Sequence, residues 1–256
     1  MRKKGEKKER EGLEKIFTKL SKANTHYKRN LSLDRKNSDK NLRSLFVTSE
    51  MITTEDFLFG GFSCFEAAAL LFRDETPKNR FNFQISYQAP IAVGQEFVLN
   101  RKNDTKVTGK VADSVAIESS TSTPSIGLVS EPKELKEDVQ GIKEIQPSVI
   151  SYESSNREDL AMLFHLCCFF DRGTWLLGQK QYSYANFLTG YLSFDVHFLP
   201  KAGPLFLEAK KIQIKRKGGS SLVIEATAKD SDSNTFATTK CTLIRICPET
   251  KQSLEL

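Results

Sequence analysis

The sequence predicts an α+β protein made of two similar units, each an antiparallel sheet wrapped around a buried helix. An apolar helix, a strand of alternating apolar and polar residues and a meander of strands follow one another, and this series occurs twice. Each alternating strand runs into a turn that contains proline and glycine, Pro90 with Gly94 and Pro200 with Gly203. A repeat of this size indicates a tandem duplication of one fold.

Composition divides the 256 residues into five segments. In order, they are a tail (1–44), a first unit (45–121), a linker (122–148), a second unit (149–247) and a C-terminal tail (248–256). The net charge is +6, but the first segment holds 15 Lys and Arg against 6 Asp and Glu, whereas the rest holds 23 against 26. The basic tail is therefore predicted to be disordered, with a short amphipathic helix within 8–22, and it could contact an anionic surface.

The first unit is predicted to begin with a strand at 45–51, followed by a helix at 62–73 that is apolar on nearly every face and should be buried. Period-two alternation, with every second residue apolar or aromatic from Phe81 to Tyr87, predicts a half-buried strand. Three further strands are predicted at 96–99, 106–112 and 115–121.

The second unit repeats this order after a proline-containing, charged linker that is expected to form at most one helical turn. A strand at 149–152 precedes a long apolar helix at 158–177, which is predicted to break near Gly173. An alternating strand at 188–198 follows, and then three strands joined by tight turns at Gly218-Gly219 and at 232–234.

Composition also excludes several classes of protein. No apolar run approaches the length of about 18 residues that a transmembrane helix needs, and the basic start lacks the apolar core of a secretion signal. The five cysteines form no CxxC pair, which favours reduced, buried thiols in a cytoplasmic protein. With three histidines, no HExxH motif and no glycine-rich phosphate loop, the sequence predicts no metal site and no cofactor.

The motifs of the two units resemble the acyl-CoA thioesterases of the hot-dog fold, which typically carry a His-Gly-Gly motif, an alanine-rich helix and an aromatic alternating strand. The first copy reads Phe59-Gly60-Gly61-Phe62 and then Glu66-Ala67-Ala68-Ala69-Leu70. The second copy ends with Gly218-Gly219-Ser220-Ser221-Leu222, Lys229-Asp230 and Phe236-Ala237-Thr238, which is similar to the end of a thioesterase unit. The resemblance covers roughly 45–121 and 149–247.

The resemblance implies two hot-dog units joined in one continuous sheet, since a single unit leaves an unpaired sheet edge. It further implies a hydrolase of lipid metabolism that acts on acyl-CoA or acyl-carrier-protein thioesters in a pocket between the units. Phenylalanine side chains, 18 in all, could line a tunnel for the acyl chain. The chain could also pair into a homodimer.

The candidate oxyanion and substrate-binding residues are Gly60, Gly61 and Phe62 at the start of the first helix. N–H groups at a helix N-terminus are unpaired donors that could polarise a thioester carbonyl, although a tight entry turn would also need glycine. Glu66 is the candidate general base of this helix. The family's acid usually stands about two residues later, and Phe59 replaces the motif's histidine, so a structural role for Glu66 remains open.

Asp171 is the candidate acid of the second helix, either as a general base or as half of a surface pair with Arg172 near the helix end. His165 lies six residues earlier, which places it on another face of the helix, so no dyad is predicted. The resemblance also implies an acid, a threonine and a glutamine, to which no positions are assigned. Cys167 and Cys168 are expected to pack in the core.

A basic strand end and turn, Lys215, Arg216 and Lys217, could bind the phosphates of CoA or could be an ordinary solvated face. Two alternatives to a thioesterase stay open. One is a non-catalytic acyl-binding or interaction module of the same fold. The other is a hydroxyacyl dehydratase or hydratase, which needs a histidine beside an acid, and His165 is the candidate available for it.

Overall fold

The computed structural model of the protein describes most of the two predicted units. The described residues are 40–49, 51, 57–58, 60–73, 77, 80–122, 139–146, 149–154, 159–181, 186–200, 203–215 and 221–246. The predicted helix within 8–22 and the C-terminal tail lie outside them. Among the described residues, no helix is long and apolar enough to cross a membrane.

These residues form two helices, α1 (Gly60–Leu71) and α2 (Asp159–Gln181), and one sheet of eleven strands. The strands are β1 (Leu42–Phe46), β2 (Phe81–Tyr87), β3 (Glu96–Asn103), β4 (Lys106–Val111), β5 (Ser114–Ser120), β6 (Val139–Gln146), β7 (Val149–Ser154), β8 (Asn186–Val196), β9 (Gly203–Lys215), β10 (Ser221–Lys229) and β11 (Thr235–Ile246).

The sheet is continuous through antiparallel pairing of β2 with β8, in which Phe83 stands opposite Phe194. The strand order is β1-β3-β4-β5-β2-β8-β11-β10-β9-β7-β6. Counted outwards from the β2–β8 junction, the strands of the two halves correspond in order: β2, β5, β4, β3 and β1 on one side match β8, β11, β10, β9 and β7 on the other. Strand β6 is an addition at the outer edge of the second half. The predicted continuous sheet around two helices is confirmed.

Both helices lie against the face of the sheet to which the alternating apolar residues point. Helix α1 is buried from Gly61 to Leu71, as its apolar circumference predicts. Phe170 of α2 stacks on Phe194 of β8 with ring centroids 4.8 Å apart. Phe65 and Phe164 meet edge to face at 5.1 Å between the two helices. Packing of large aromatic side chains therefore joins the two halves.

The predicted break of the second helix at Gly173 is wrong, since α2 continues to Gln181. A Cβ at Gly173 would lie 2.7 Å from Cδ2 of Leu207 in β9. The glycine therefore allows α2 to approach the sheet closely, and does not end the helix.

Several strand limits differ from the prediction. Strand β1 lies a few residues before the predicted 45–51, and β3 is longer than the predicted 96–99. Strand β6 lies inside the segment 122–148 that was predicted as a linker, and it pairs with β7. The apolar residues of β6, Val139, Ile142 and Ile145, stand three positions apart, so this segment lacks the period-two alternation that predicts a strand. The division of the chain into five segments remains a prediction.

Candidate functional site

Asp171 lies in the middle of α2 with its side chain facing the N-terminus of α1. The residue is 3% exposed. A Cβ at Gly60 would lie 2.8 Å from Oδ1 and 2.9 Å from Oδ2 of Asp171. The glycine therefore leaves room for the carboxylate, so the acid of the second half lies against the first helical turn of the first half.

Two donors hold this carboxylate. Oγ1 of Thr189, in β8, donates a hydrogen bond of 2.8 Å to Oδ1 of Asp171. The backbone N–H of Gly61 in the first turn of α1 also donates to the Asp171 carboxylate. The N-terminus of a helix carries a partial positive charge, which adds to the stabilisation of an anion there. Asp171 thus connects α2 to both β8 and α1.

Burial raises the pKa of Asp171 from 3.8 to about 6. The hydrogen bond from Thr189, the charge of Arg172 and the hydrogen bond from Gly61 oppose this effect, in decreasing order. A carboxyl group with a pKa near 6 is ionised at neutral pH and is basic enough to accept a proton from a reacting group. The site can therefore supply a general base.

The first turn of α1 is held from the sheet side as well. The hydroxyl of Tyr87 in β2 donates a 2.7 Å hydrogen bond to the carbonyl oxygen of Gly60, and Oγ of Ser63 donates to the same oxygen at 3.0 Å. Burial raises the pKa of Tyr87 well above its ordinary value. The phenol therefore stays protonated and can act as a permanent donor.

Four buried thiols surround the same region, namely Cys64, Cys167, Cys168 and Cys241. Burial raises the pKa of each, and the negative charge of Asp171 raises them further. Thiols with raised pKa values are poor nucleophiles. The prediction that Cys167 and Cys168 pack in the core is confirmed.

Glu66 lies deeper along α1 and faces a different partner. Its carboxylate is 2.9 Å from Nη1 of Arg43 in the edge strand β1, and its side chain is fully buried. Glu66 stands six residues after Gly60, which is ~9 Å along the helix axis. The two predicted acids are therefore not brought together, and the ion pair agrees with the structural alternative for Glu66.

The other residues predicted at the helix entrance have other contacts in the structure. Gly61 directs its N–H at Asp171. Phe62 is fully buried and belongs to the core. Nine phenylalanines are among the largest fully buried side chains, and several of them pack ring against ring. These nine phenylalanines thus fill the core, where the sequence had suggested a tunnel lining.

The surface pair of Asp171 with Arg172 is wrong, since both residues are buried within a helix that continues past them. The guanidinium of Arg172 stacks on the ring of Trp175, with Cζ 3.9 Å from the ring centroid. His165 is also buried, and burial lowers its pKa to about 4. His165 is therefore neutral at physiological pH.

The predicted CoA-phosphate contacts are not placed by the structure. Lys215 is the last residue of β9, whereas Arg216 and Lys217 lie outside the described residues. A cavity of ≈ 480 Å³ opens on the sheet face that points away from the helices, between side chains such as Gln84, Tyr191 and Lys240. It lies on the opposite face from Asp171.

Thr189 is the site residue that sequence reasoning missed. Leu192, Phe194 and Val196 face the helices, and counting back from them in steps of two places Thr189 on the outer face. The register of β8 against β11 shifts at this point, so that Gly190 is passed over between Tyr191 and Thr189. This β-bulge turns Thr189 inwards to Asp171. A glycine within an alternating strand was the available signal.

No protein-family model matches the sequence, and no curated protein matches it. Solved structures do match. A tesB protein from Mycobacterium avium subsp. paratuberculosis has a TM-score of 0.58 and 10% identity, over 82% of this chain and 95% of that one. A hot-dog-fold protein of unknown function from Alicyclobacillus acidocaldarius has a TM-score of 0.56 and 13% identity, over 83% and 96%. GphF dehydratase 1 has a TM-score of 0.53 and 8% identity, over 80% and 92%. The chain therefore has the double hot-dog fold that thioesterases and dehydratases share.

Proposed function

We propose that the protein hydrolyses acyl thioesters and that Asp171 is the general base. The observation that carries this proposal is the buried carboxylate of Asp171, held by Thr189 at the N-terminus of the opposite helix with a pKa raised to about 6. An acid and a threonine were among the groups that the family resemblance implied without assigned positions. The substrates would be thioesters of CoA or of acyl-carrier protein, in line with the double hot-dog fold.

In this mechanism Asp171 accepts a proton from a water molecule as the water oxygen forms a bond to the thioester carbon. The carbonyl oxygen becomes an oxyanion in the tetrahedral intermediate. The intermediate then collapses, the carbon–sulfur bond breaks, and the leaving thiolate takes the proton from Asp171. Thr189 keeps the carboxylate in position throughout and favours its ionised form.

The first turn of α1 is the proposed oxyanion site. Its Gly61 N–H donates to Asp171 in the resting structure. Once Asp171 has taken the proton it is a weaker acceptor, and the N–H becomes available to the oxyanion that forms in the same step. The first turn of α1, with Gly60 and Gly61, would then bind the Asp171 carboxylate before the reaction and the oxyanion during it. Phe62 contributes only packing.

A non-catalytic acyl-binding module is the second candidate. The observation that favours it is the closed contact between Asp171 and the first turn of α1, in which the predicted oxyanion donor is already engaged. A dehydratase is less well supported, because His165 lies on a different face of α2 from Asp171 and is held neutral by burial.

The test is hydrolysis of a panel of acyl-CoA thioesters of increasing chain length by the full chain. Asp171→Asn should lower kcat by about 10² to 10⁴, whereas Glu66→Gln should keep the rate of the wild type at temperatures where it is folded. Saturable acyl-CoA binding without turnover would favour the binding module. If Glu66→Gln abolished turnover and Asp171→Asn did not, Glu66 would be the general base instead of Asp171.

Three further proposals concern partners and location. The basic group Lys215, Arg216 and Lys217 is proposed to bind the CoA phosphates, so that replacing all three with Gln raises KM for acyl-CoA and leaves kcat unchanged.

The basic tail is proposed to contact an anionic surface, which co-sedimentation of the full chain with anionic and neutral vesicles would test. A cytoplasmic location and a homodimer also remain proposals, the latter open to measurement by light scattering.

A further inference from the structure

Arg172 is a buried cation with few polar partners. The residue is 7% exposed, and its Nε has no hydrogen-bond partner. In the described part of the chain its guanidinium forms no ion pair, and its close contact is the face of Trp175 at 3.9 Å. An arginine carries five N–H donors, and burying such a group without acceptors is unfavourable. A buried guanidinium whose N–H donors are not all engaged can bind an anion.

The surroundings allow a ligand to approach. Trp175 and Leu176, one turn after Arg172, are only half-buried, so this part of α2 reaches the surface. Trp175 is held in place by the hydrogen bond of 3.1 Å that its Nε1 donates to the carbonyl oxygen of Phe187. A fixed ring behind a guanidinium keeps the plane of the guanidinium oriented and leaves its outer edge for a planar anion.

We propose that Arg172 and Trp175 form a subsite for a carboxylate carried on the acyl chain of the substrate. The inference rests on the proposed function, because it places the anion relative to a thioester at Asp171. A carboxylate matches the fork of a guanidinium with two parallel hydrogen bonds. The protein would accordingly prefer thioesters of dicarboxylic acids to thioesters of neutral fatty acids.

The position of Arg172 favours the acyl chain over the CoA phosphates as the source of the anion. Arg172 follows Asp171 directly in α2, and the charge of each residue acts on the pKa of the other, so the guanidinium lies within electrostatic reach of the carboxylate. The subsite therefore lies close to the reacting carbon. The phosphates of CoA stand at the far end of the pantetheine arm, whereas the terminal carboxylate of a short diacid is only a few methylene groups from the carbonyl.

A competing explanation is that Arg172 only offsets the charge of Asp171, since each residue affects the pKa of the other. In that case Arg172 acts on the base and not on the substrate, and its removal changes the rate for every thioester by the same factor and shifts the pH profile. The two explanations are therefore separated by comparing substrates that differ in the acyl charge alone.

The experiment compares glutaryl-CoA with valeryl-CoA, which have the same number of carbons, by kcat/KM for wild type, Arg172→Gln and Arg172→Lys. Wild type should prefer glutaryl-CoA, and Arg172→Gln should lower that preference roughly tenfold or more, whereas Arg172→Lys should restore part of it. Arg80→Gln, at an exposed arginine paired with Asp195, is the control for loss of one positive charge and should leave the preference unchanged.

A binding measurement keeps this inference separate from the proposed function. Thioether analogues of the two substrates, which cannot be hydrolysed, should show the same preference by calorimetry even if the protein turns over neither thioester. Equal effects of Arg172→Gln on both substrates would overturn the subsite. So would a loss that appears with both CoA compounds and disappears with the corresponding acyl-pantetheines, since it would assign Arg172 to the phosphates.

Discussion

Thr189 of strand β8 donates a 2.8 Å hydrogen bond to the carboxylate of Asp171 on helix α2. The bulge at Gly190 produces this contact by turning Thr189 to the inner face of the sheet. On the other side of the carboxylate stands Gly60, the first residue of α1. The candidate base is therefore fixed by a strand from its own half of the chain and by a helix from the other half.

Gly60→Ala should destabilise the protein through Asp171. The new Cβ would lie 2.8 Å from Oδ1, so the carboxylate must leave its donors. We expect a loss of about 1–3 kcal/mol in the free energy of unfolding, measured by urea denaturation. In the background of Asp171→Ala the same change should cost much less, because the obstructing carboxylate is gone. An equal cost in both backgrounds would contradict the contact.

Asp171→Asn should gain stability relative to the wild type as the pH rises. Because burial raises the pKa of Asp171 from 3.8 to about 6, the charged form is disfavoured in the folded state. The stabilising contribution is present below pH ~4 and is lost as the pH rises through ~6, for a total of about 3 kcal/mol between pH 4 and pH 8. The difference in unfolding free energy between the variant and wild type should therefore grow in favour of the variant over this range.

The stability difference is the correct quantity to measure, because His165 also titrates. Burial lowers the pKa of His165 to about 4, so its own contribution to stability is gained as the pH rises. This contribution is shared by the two proteins and cancels in the difference. A difference that stays constant from pH 4 to pH 8 would show that the pKa of Asp171 is not raised.

Glu66→Gln should reduce stability and spare the site. This change removes the negative charge that stands 2.9 Å from Nη1 of Arg43 in a largely buried position, which should cost about 3 kcal/mol in thermal or urea unfolding. The exposed pair of Arg80 with Asp195 provides the matched control, since solvent screens this pair and Arg80→Gln should therefore cost much less than Glu66→Gln. Similar losses of unfolding free energy for the two variants would show that the buried ion pair contributes no more to stability than the exposed pair.

The fold could be predicted from the sequence because its determinants are periodic. The alternation from Phe81 to Tyr87 and again from Leu192 to Val196 identifies the strands that cover the helices, and the apolar circumference of α1 predicts its burial. Gly173 misled the prediction because a glycine in a helix is consistent either with an end or with close packing. Only the position of Leu207 decides between them, and that contact is distant in sequence.

Part of the candidate site could be predicted. Asp171 could be named because an acid within an apolar helix is conspicuous, and Gly60 and Gly61 because they open the first helix. Thr189 could not, because simple alternation places it on the outer face and the bulge that reverses it depends on pairing with β11. The partner of Glu66 was equally hidden, since Arg43 belongs to a strand that the prediction placed a few residues later.

The pH dependence of kcat/KM for a cleaved acyl-CoA, in wild type and in Thr189→Val, tests the central claim most directly. Wild type should lose activity in acid with an apparent pKa near 6, because Asp171 must be ionised to accept a proton. Thr189→Val removes a hydrogen bond that lowers this pKa, so the acid limb should move to higher pH, with Thr189→Ser as the control that keeps the hydroxyl. An acid limb that lies near pH 4, or that is the same in wild type and Thr189→Val, would contradict the role of Asp171 as the base.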